Sequence, residues 1–167
     1  IAIDKWNYGI PFNAFNGLDI PSSHKPRTRR LVSNELSDLI SNAEKQRNKY
    51  ISTIIQFAVE TGMRRSEILK LTWNDVNLDT GIASLYDTKN GDDRHIPLTK
   101  TAIQLLPNLT QSSEFVFPIS ANCLRLAWER CRNKSNIKGF RFQDLRHEAV
   151  SRFFEICLLY TSPSPRD

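Results

Sequence analysis

The chain has 167 residues, 23 Lys+Arg against 18 Asp+Glu for a net charge of +5, and 40% hydrophobic with 10% aromatic residues, enough for about one domain with its own core. No run of ~18 or more apolar residues and no charged-then-apolar leader occurs, which argues against a membrane-spanning or secreted protein and for a cytoplasmic one. Cys123, Cys131 and Cys157 lack CxxC spacing, so neither a disulfide framework nor a thiolate zinc site is indicated, while a pI near 9.3 favours a polyanionic partner, nucleic acid first.

Residues 1–28 read as a connector from an upstream domain, because Gly9, Pro11, Gly17, Pro21 and Pro26 interrupt them too often for a long helix. It closes on a basic run containing Lys25, Arg27, Arg29 and Arg30, which suits either phosphate contacts or a solvated linker. Ser33 is a plausible N-cap for a helix bearing Leu36, Leu39, Ile40 and Ala43 on one face. A second helix runs through Ile51, Ile54, Ile55, Ala58 and Val59 and stops at Gly62. Ser66 to Leu71 forms a short third.

The texture then changes. Ile82 to Asp87 and Arg94 to Leu98 have strand character, and the turn cluster Asn90-Gly91-Asp92-Asp93 joins them as a hairpin. Thr99 fits an N-cap for a helix through Ala102, Ile103 and Leu106, ended by Pro107. Another helix carries Cys123, Ala127, Trp128 and Cys131, and the last runs from about Gln143 through Phe154. Tyr50 and Tyr86 are assigned to helix and strand packing, Trp73 and Trp128 to the core, and Asp75 to a turn or cap role. The fold class is therefore α+β, mostly helical with a small antiparallel hairpin. Cys157 to Asp167 lacks this logic: CLLYTSPSPRD can be encoded by a string resembling the transposon-end adapter of sequencing-library preparation, and it is set aside as a non-native tail.

Several basic residues occupy unusual places. Arg64 and Arg65 follow Thr61-Gly62-Met63 at a helix boundary, Lys89 stands at the mouth of the hairpin, and Gln143, Arg146 and His147 share one helical turn. If folding brings them together they form an anion pocket, with guanidiniums gripping phosphate oxygens and an ammonium reaching a bridging oxygen. If not, Arg64 and Arg146 are surface or ion-pair residues. No P-loop, GxGxxG or HExxH string occurs, so no cofactor and no metal is expected.

The strings TGMRRSEILKLTWNDVNL, TKNGDDRHIPLT and FQDLRHEAVSRFFE, in that order, resemble the catalytic domain of the phage integrase or tyrosine recombinase family over about residues 29–156. The resemblance implies a mostly helical catalytic domain that cuts and rejoins double-stranded DNA without metal or external energy, acting as a homotetramer. By it, Arg64 and Arg146 stabilise charge on the scissile phosphate, Glu67 supports Arg64, and Lys89 is the general acid for the departing 5′ hydroxyl. His147 matches a neighbour with a structural or phosphate-proximal role, and a buried hydrogen-bonding histidine fits equally. Lys25, Arg27, Arg29 and Arg30 are assigned to backbone phosphates.

Two departures stand out. Gln143 occupies a place where the family most often has histidine, and glutamine can hydrogen-bond a phosphate oxygen but cannot take a proton near neutral pH. The family also needs a tyrosine nucleophile well beyond the Arg146 helix. Tyr160 is too close and lies in the suspected tail, so residues 29–156 are expected to be a truncated catalytic domain without its nucleophile. A noncatalytic DNA-binding module or decayed integrase remnant is the alternative, and a type IB topoisomerase shares the phosphate chemistry.

Overall fold

The structure, a computed structural model, describes residues 29–32, 34–86 and 93–161. Its first helix, α1 (Glu35–Glu44), buries Leu39 and Ala43. Asn34 rather than Ser33 is its N-cap, and no side-chain cap bond forms there; Ser33 lies outside the described residues. The entry is instead fastened by Glu35, whose carboxylate accepts the Val32 N–H at 2.8 Å.

The centre of the molecule is α2 (Tyr50–Thr61), because seven of its twelve residues are buried and it packs against five other helices. Such a helix is apolar around most of its circumference, and only the interior satisfies that pattern. It ends at Gly62, whose left-handed backbone (φ 63°) turns the chain sharply. A short helix, α3 (Arg65–Lys70), follows, then a 3₁₀ turn at Trp73–Asp75 in which Asp75 accepts the Thr72 N–H at 3.0 Å.

The sheet has three antiparallel strands in chain order: β1 (Val76–Asn77), β2 (Ile82–Leu85) and β3 (Arg94–Pro97). Ala83 pairs with Val76 on one side and Ile96 on the other, and Leu85 pairs with Arg94 at the end where the chain passes from β2 to β3. The sequence led to the two longer strands and missed β1, since two residues carry no alternation to detect. Tyr86 is a correction. Ala83 and Leu85 point into the core, so the period of two turns residue 86 outward, and Tyr86 is exposed rather than packed.

Helix α4 (Lys100–Leu105) starts where expected, with the Thr99 hydroxyl accepting the Ala102 N–H at 3.1 Å. Ser120 caps α5 (Ala121–Lys134) in the same way. Trp128 of α5 meets Phe142 edge-on at 5.4 Å, so this helix seals one side of the core. The last helix, α6 (Asp144–Thr161), packs its first turns along α2. It extends past Ile156, where the apolar periodicity stops, because no Gly or Pro interrupts the sequence before Pro163. Among the described residues no helix is long and apolar enough to cross a membrane.

Candidate DNA-processing site

Gly62 organises the site. Its left-handed conformation ends α2 and buries Met63, so that Arg64 emerges at the start of α3 with its side chain about half exposed. A Cβ at Gly62 would stand 3.5 Å from the Ala149 side chain of α6, so the two helices approach closely here. The Gly62 carbonyl accepts a hydrogen bond from Arg146 Nη1 across 84 positions of sequence. One backbone turn thus presents Arg64 and anchors Arg146.

Glu67 gathers the charges around that turn. Its carboxylate accepts the Arg64 N–H at 2.7 Å, Arg64 Nη1 at 2.8 Å and Arg94 Nη2 at 2.7 Å. The backbone bond is the acidic arm of a capping box, satisfying a donor that the helix itself cannot. Burial pushes the Glu67 carboxyl up, but the Arg64 backbone and guanidinium bonds with the Arg94 charge outweigh it and hold it below its ordinary value. Arg146 is lowered by burial and then by the charge of Arg64, with Arg94 adding to the effect and Glu67 opposing it. Three guanidiniums and one carboxylate therefore share a neighbourhood, with an excess of two positive charges.

Gln143 immediately precedes α6, and its carbonyl accepts the Arg146 N–H at 3.2 Å. Arg146 is thus in the first turn of an 18-residue helix, a place that the helix dipole makes unfavourable for a cation and favourable for an anion. Gln143 also faces a cleft of about 410 Å³ shared with Arg64, Arg65, Arg125, Arg132 and Arg141. Glu129 is the single acid on its wall. Lined this way, the cleft attracts a polyanion.

His147 is exposed on α6, next to Arg146 in sequence. Lys25, Arg27 and Lys89 lie outside the described residues. Arg29 pairs with Glu35 and stacks 5.5 Å from the Phe140 ring centre. Arg30 reaches Glu155 and the buried Glu148. Both arginines already have carboxylate partners and fasten the incoming chain to the domain.

Arg94 and the cleft arginines Arg125, Arg132 and Arg141 were not singled out from sequence. A faint signal existed for two of them, since Arg125 and Arg132 lie seven positions apart and so on one face of α5. None existed for Arg94, whose importance depends on a contact with Glu67 across 27 positions.

Residues 29–156 match the phage integrase family. The chain belongs to that family. This integrase-family chain is 38% identical over 139 residues to a shufflon-specific DNA recombinase of Escherichia coli, a match covering 81% of the chain and 35% of the relative. With a putative integrase/recombinase of Haemophilus influenzae it shares 32% identity over 160 residues, covering 91% of the chain and 52% of the relative. The chain thus spans about half or less of these relatives. In fold it is similar to lambda integrase in a tetramer bound to a Holliday junction, with a TM-score of 0.62 at 22% identity, over 78% of this chain and 43% of that one. The mostly helical domain with its small antiparallel sheet is therefore the integrase catalytic fold.

Proposed function

We propose that this chain is the catalytic part of a site-specific recombinase that cleaves and rejoins double-stranded DNA through a phosphotyrosyl intermediate. In that reaction a tyrosine oxygen attacks the scissile phosphorus, the 3′ phosphate becomes esterified to the enzyme, and the 5′ oxygen leaves with a proton supplied by Lys89. Arg64 and Arg146 grip the nonbridging oxygens, where negative charge accumulates in the transition state. Gln143 hydrogen-bonds a phosphate oxygen, and His147 stands beside Arg146 in a supporting role. Lys25, Arg27, Arg29 and Arg30 contact backbone phosphates beside the reaction, the last two by exchanging carboxylate for phosphate. Tyr50 packs against the core and Tyr86 is exposed after β2, and the family resemblance assigns the nucleophile to sequence well beyond the Arg146 helix. The parent assembles as a homotetramer on two duplexes, a reading supported by the lambda integrase tetramer bound to a Holliday junction.

The observation that carries this reading is the convergence of Arg64 and Arg146 on one turn beside an arginine-lined cleft. A suicide-substrate assay on the intact parent tests it. Covalent DNA adducts are expected, and Arg64→Ala or Arg146→Ala should slow their formation by about 10²–10³-fold while leaving duplex binding detectable. Clean binding with no adduct would favour a noncatalytic DNA-binding module, a reading that Gln143 in the usual histidine place specifically supports.

A further inference from the structure

Glu67 meets Arg64 from its own helix and Arg94 from the sheet, and the two guanidiniums bond the same oxygen, Oε1, at 2.8 and 2.7 Å. A carboxylate bound to Arg64 alone would neutralise it and would fix it from one short element only. Shared between two arginines, the same carboxylate orients Arg64 and leaves the group with a net positive charge. Arg94 is the first residue of β3 and pairs with Leu85, so its backbone is fixed by the sheet. Its Nε is buried without a hydrogen-bond partner, so the side chain is not placed there to satisfy all of its own donors. The contact with Glu67 is what its placement provides.

We infer that Arg94 is a positioning residue for the phosphate site: by sharing Glu67 with Arg64 it fixes the Arg64 guanidinium from a second element and keeps the charge of that guanidinium available to an anion. The inference rests on the reading of Arg64 as a phosphate ligand for its purpose, but not for its geometry. Arg146 belongs to the same balance, since its charge interacts with Arg64, Glu67 and Arg94 together. Without Arg94, Glu67 would pair with Arg64 alone, and the net charge felt by an incoming phosphate would fall by one.

The test uses the full 167-residue chain labelled with ¹³C at Glu and ¹⁵N at Arg, and needs no DNA for its first arm. In Arg94→Gln the Glu67 carboxyl should titrate about one pH unit higher than in the wild type, as expected on losing an adjacent opposite charge. The Arg64 Nη1–H should exchange several-fold faster with solvent, whereas amide exchange in the α2 core stays unchanged. Arg94→Lys, which keeps the charge but loses the planar fork, should restore most of the titration and little of the Arg64 order. In the second arm, inorganic phosphate at constant ionic strength should shift the Arg64 resonance with several-fold weaker affinity in Arg94→Gln.

An unchanged Glu67 titration and an unchanged Arg64 Nη1–H in Arg94→Gln would overturn the inference. So would a loss of protection spread evenly over α2, which would mark Arg94 as a residue of general stability. If the first arm holds and phosphate binds equally well to both proteins, the geometric part stands and the electrostatic part is overturned. Failure of the recombinase reading would appear elsewhere, as the absence of DNA adducts in the parent, and would leave the first arm intact.

Discussion

Gly62 is the residue on which the geometry most depends. Its φ of 63° lies where a side chain crowds the backbone, and Ala149 of α6 stands close to the place a Cβ would occupy. Gly62→Ala should destabilise the protein by about 1–2 kcal/mol from backbone strain, read as a lower denaturant midpoint at unchanged slope. It should also weaken phosphate binding at Arg146, because the carbonyl that anchors this arginine belongs to the strained residue. Gln143 offers a second test. It lies at the cleft wall just before the first turn of α6, where an imidazole could replace the amide and also accept a proton. Gln143→His in the intact parent should raise the cleavage rate up to about 10²-fold, the lower range of general acid–base assistance. An unchanged or lower single-turnover rate would mean that the site is adapted to an amide. Gln143, Arg64 and Arg146 were all legible as candidates from their surrounding strings. Their meeting was not, because it passes through a backbone carbonyl, and the residue type that supplies a carbonyl leaves no trace in sequence.

At the scale of elements, α6 serves two ends of the chain at once. Its first turn presents Arg146, and two positions later Glu148, only 3% exposed, receives Arg30, the Leu31 N–H and Arg152. Burial pushes Glu148 up, but the hydrogen bonds from Arg30, Arg152 and Leu31 hold it below its ordinary value. Glu67, on α3, is shifted in the same direction. In both cases the unfolded chain binds protons more readily than the folded one. Their stabilisation is therefore fully present above the unfolded carboxyl value of about 4.3 and is lost as pH falls through the lower folded values. Glu148→Gln should cost about 1–3 kcal/mol at pH 7, toward the lower end because the partner arginines are 42% and 38% exposed and screened by water. Thermal melts from pH 7 to pH 3 should show a shallower acid decline in this variant than in the wild type. The helices themselves were legible, since their apolar period of 3.6 is long enough to count, and the Thr99 and Gly62 boundaries follow from side-chain and backbone chemistry. Strand β1, the outward Tyr86 and the continuation of α6 to Thr161 were not. The short strand depends on its neighbour and the continuation on the lack of a breaker, which periodicity does not report, while Tyr86 follows from the period of two only once the inner face of β2 is known.

For the whole molecule the net charge of +5 matters less than where the charge lies. Arginines that meet carboxylates inside the fold, such as Arg29 with Glu35 and Arg30 with Glu148, contribute little field at long range, because each is offset at contact distance. Around the cleft the balance differs: five arginines line it against one glutamate, and Arg125 is the arginine paired with that glutamate, at 3.0 Å. Duplex DNA carries a condensed counterion layer, and each phosphate neutralised by such a cleft releases part of it. Binding should therefore weaken steeply with salt, at about −0.9 in log–log slope for each phosphate contacted. Arg141 is the sharpest probe, because it is exposed on the cleft wall and its backbone N–H, which is bonded to Asp144 at 2.8 Å, survives a side-chain change. Arg141→Ala should reduce the slope by about one and weaken all sequences alike, as expected for a phosphate rather than a base contact. Arg30→Ala removes the same formal charge from a site whose phosphate contact must first give up Glu148 and Glu155, so its slope should change less than that of Arg141→Ala. Equal changes in both variants, measured by fluorescence anisotropy on one duplex between low and moderate salt, would mean that total charge rather than the cleft governs binding.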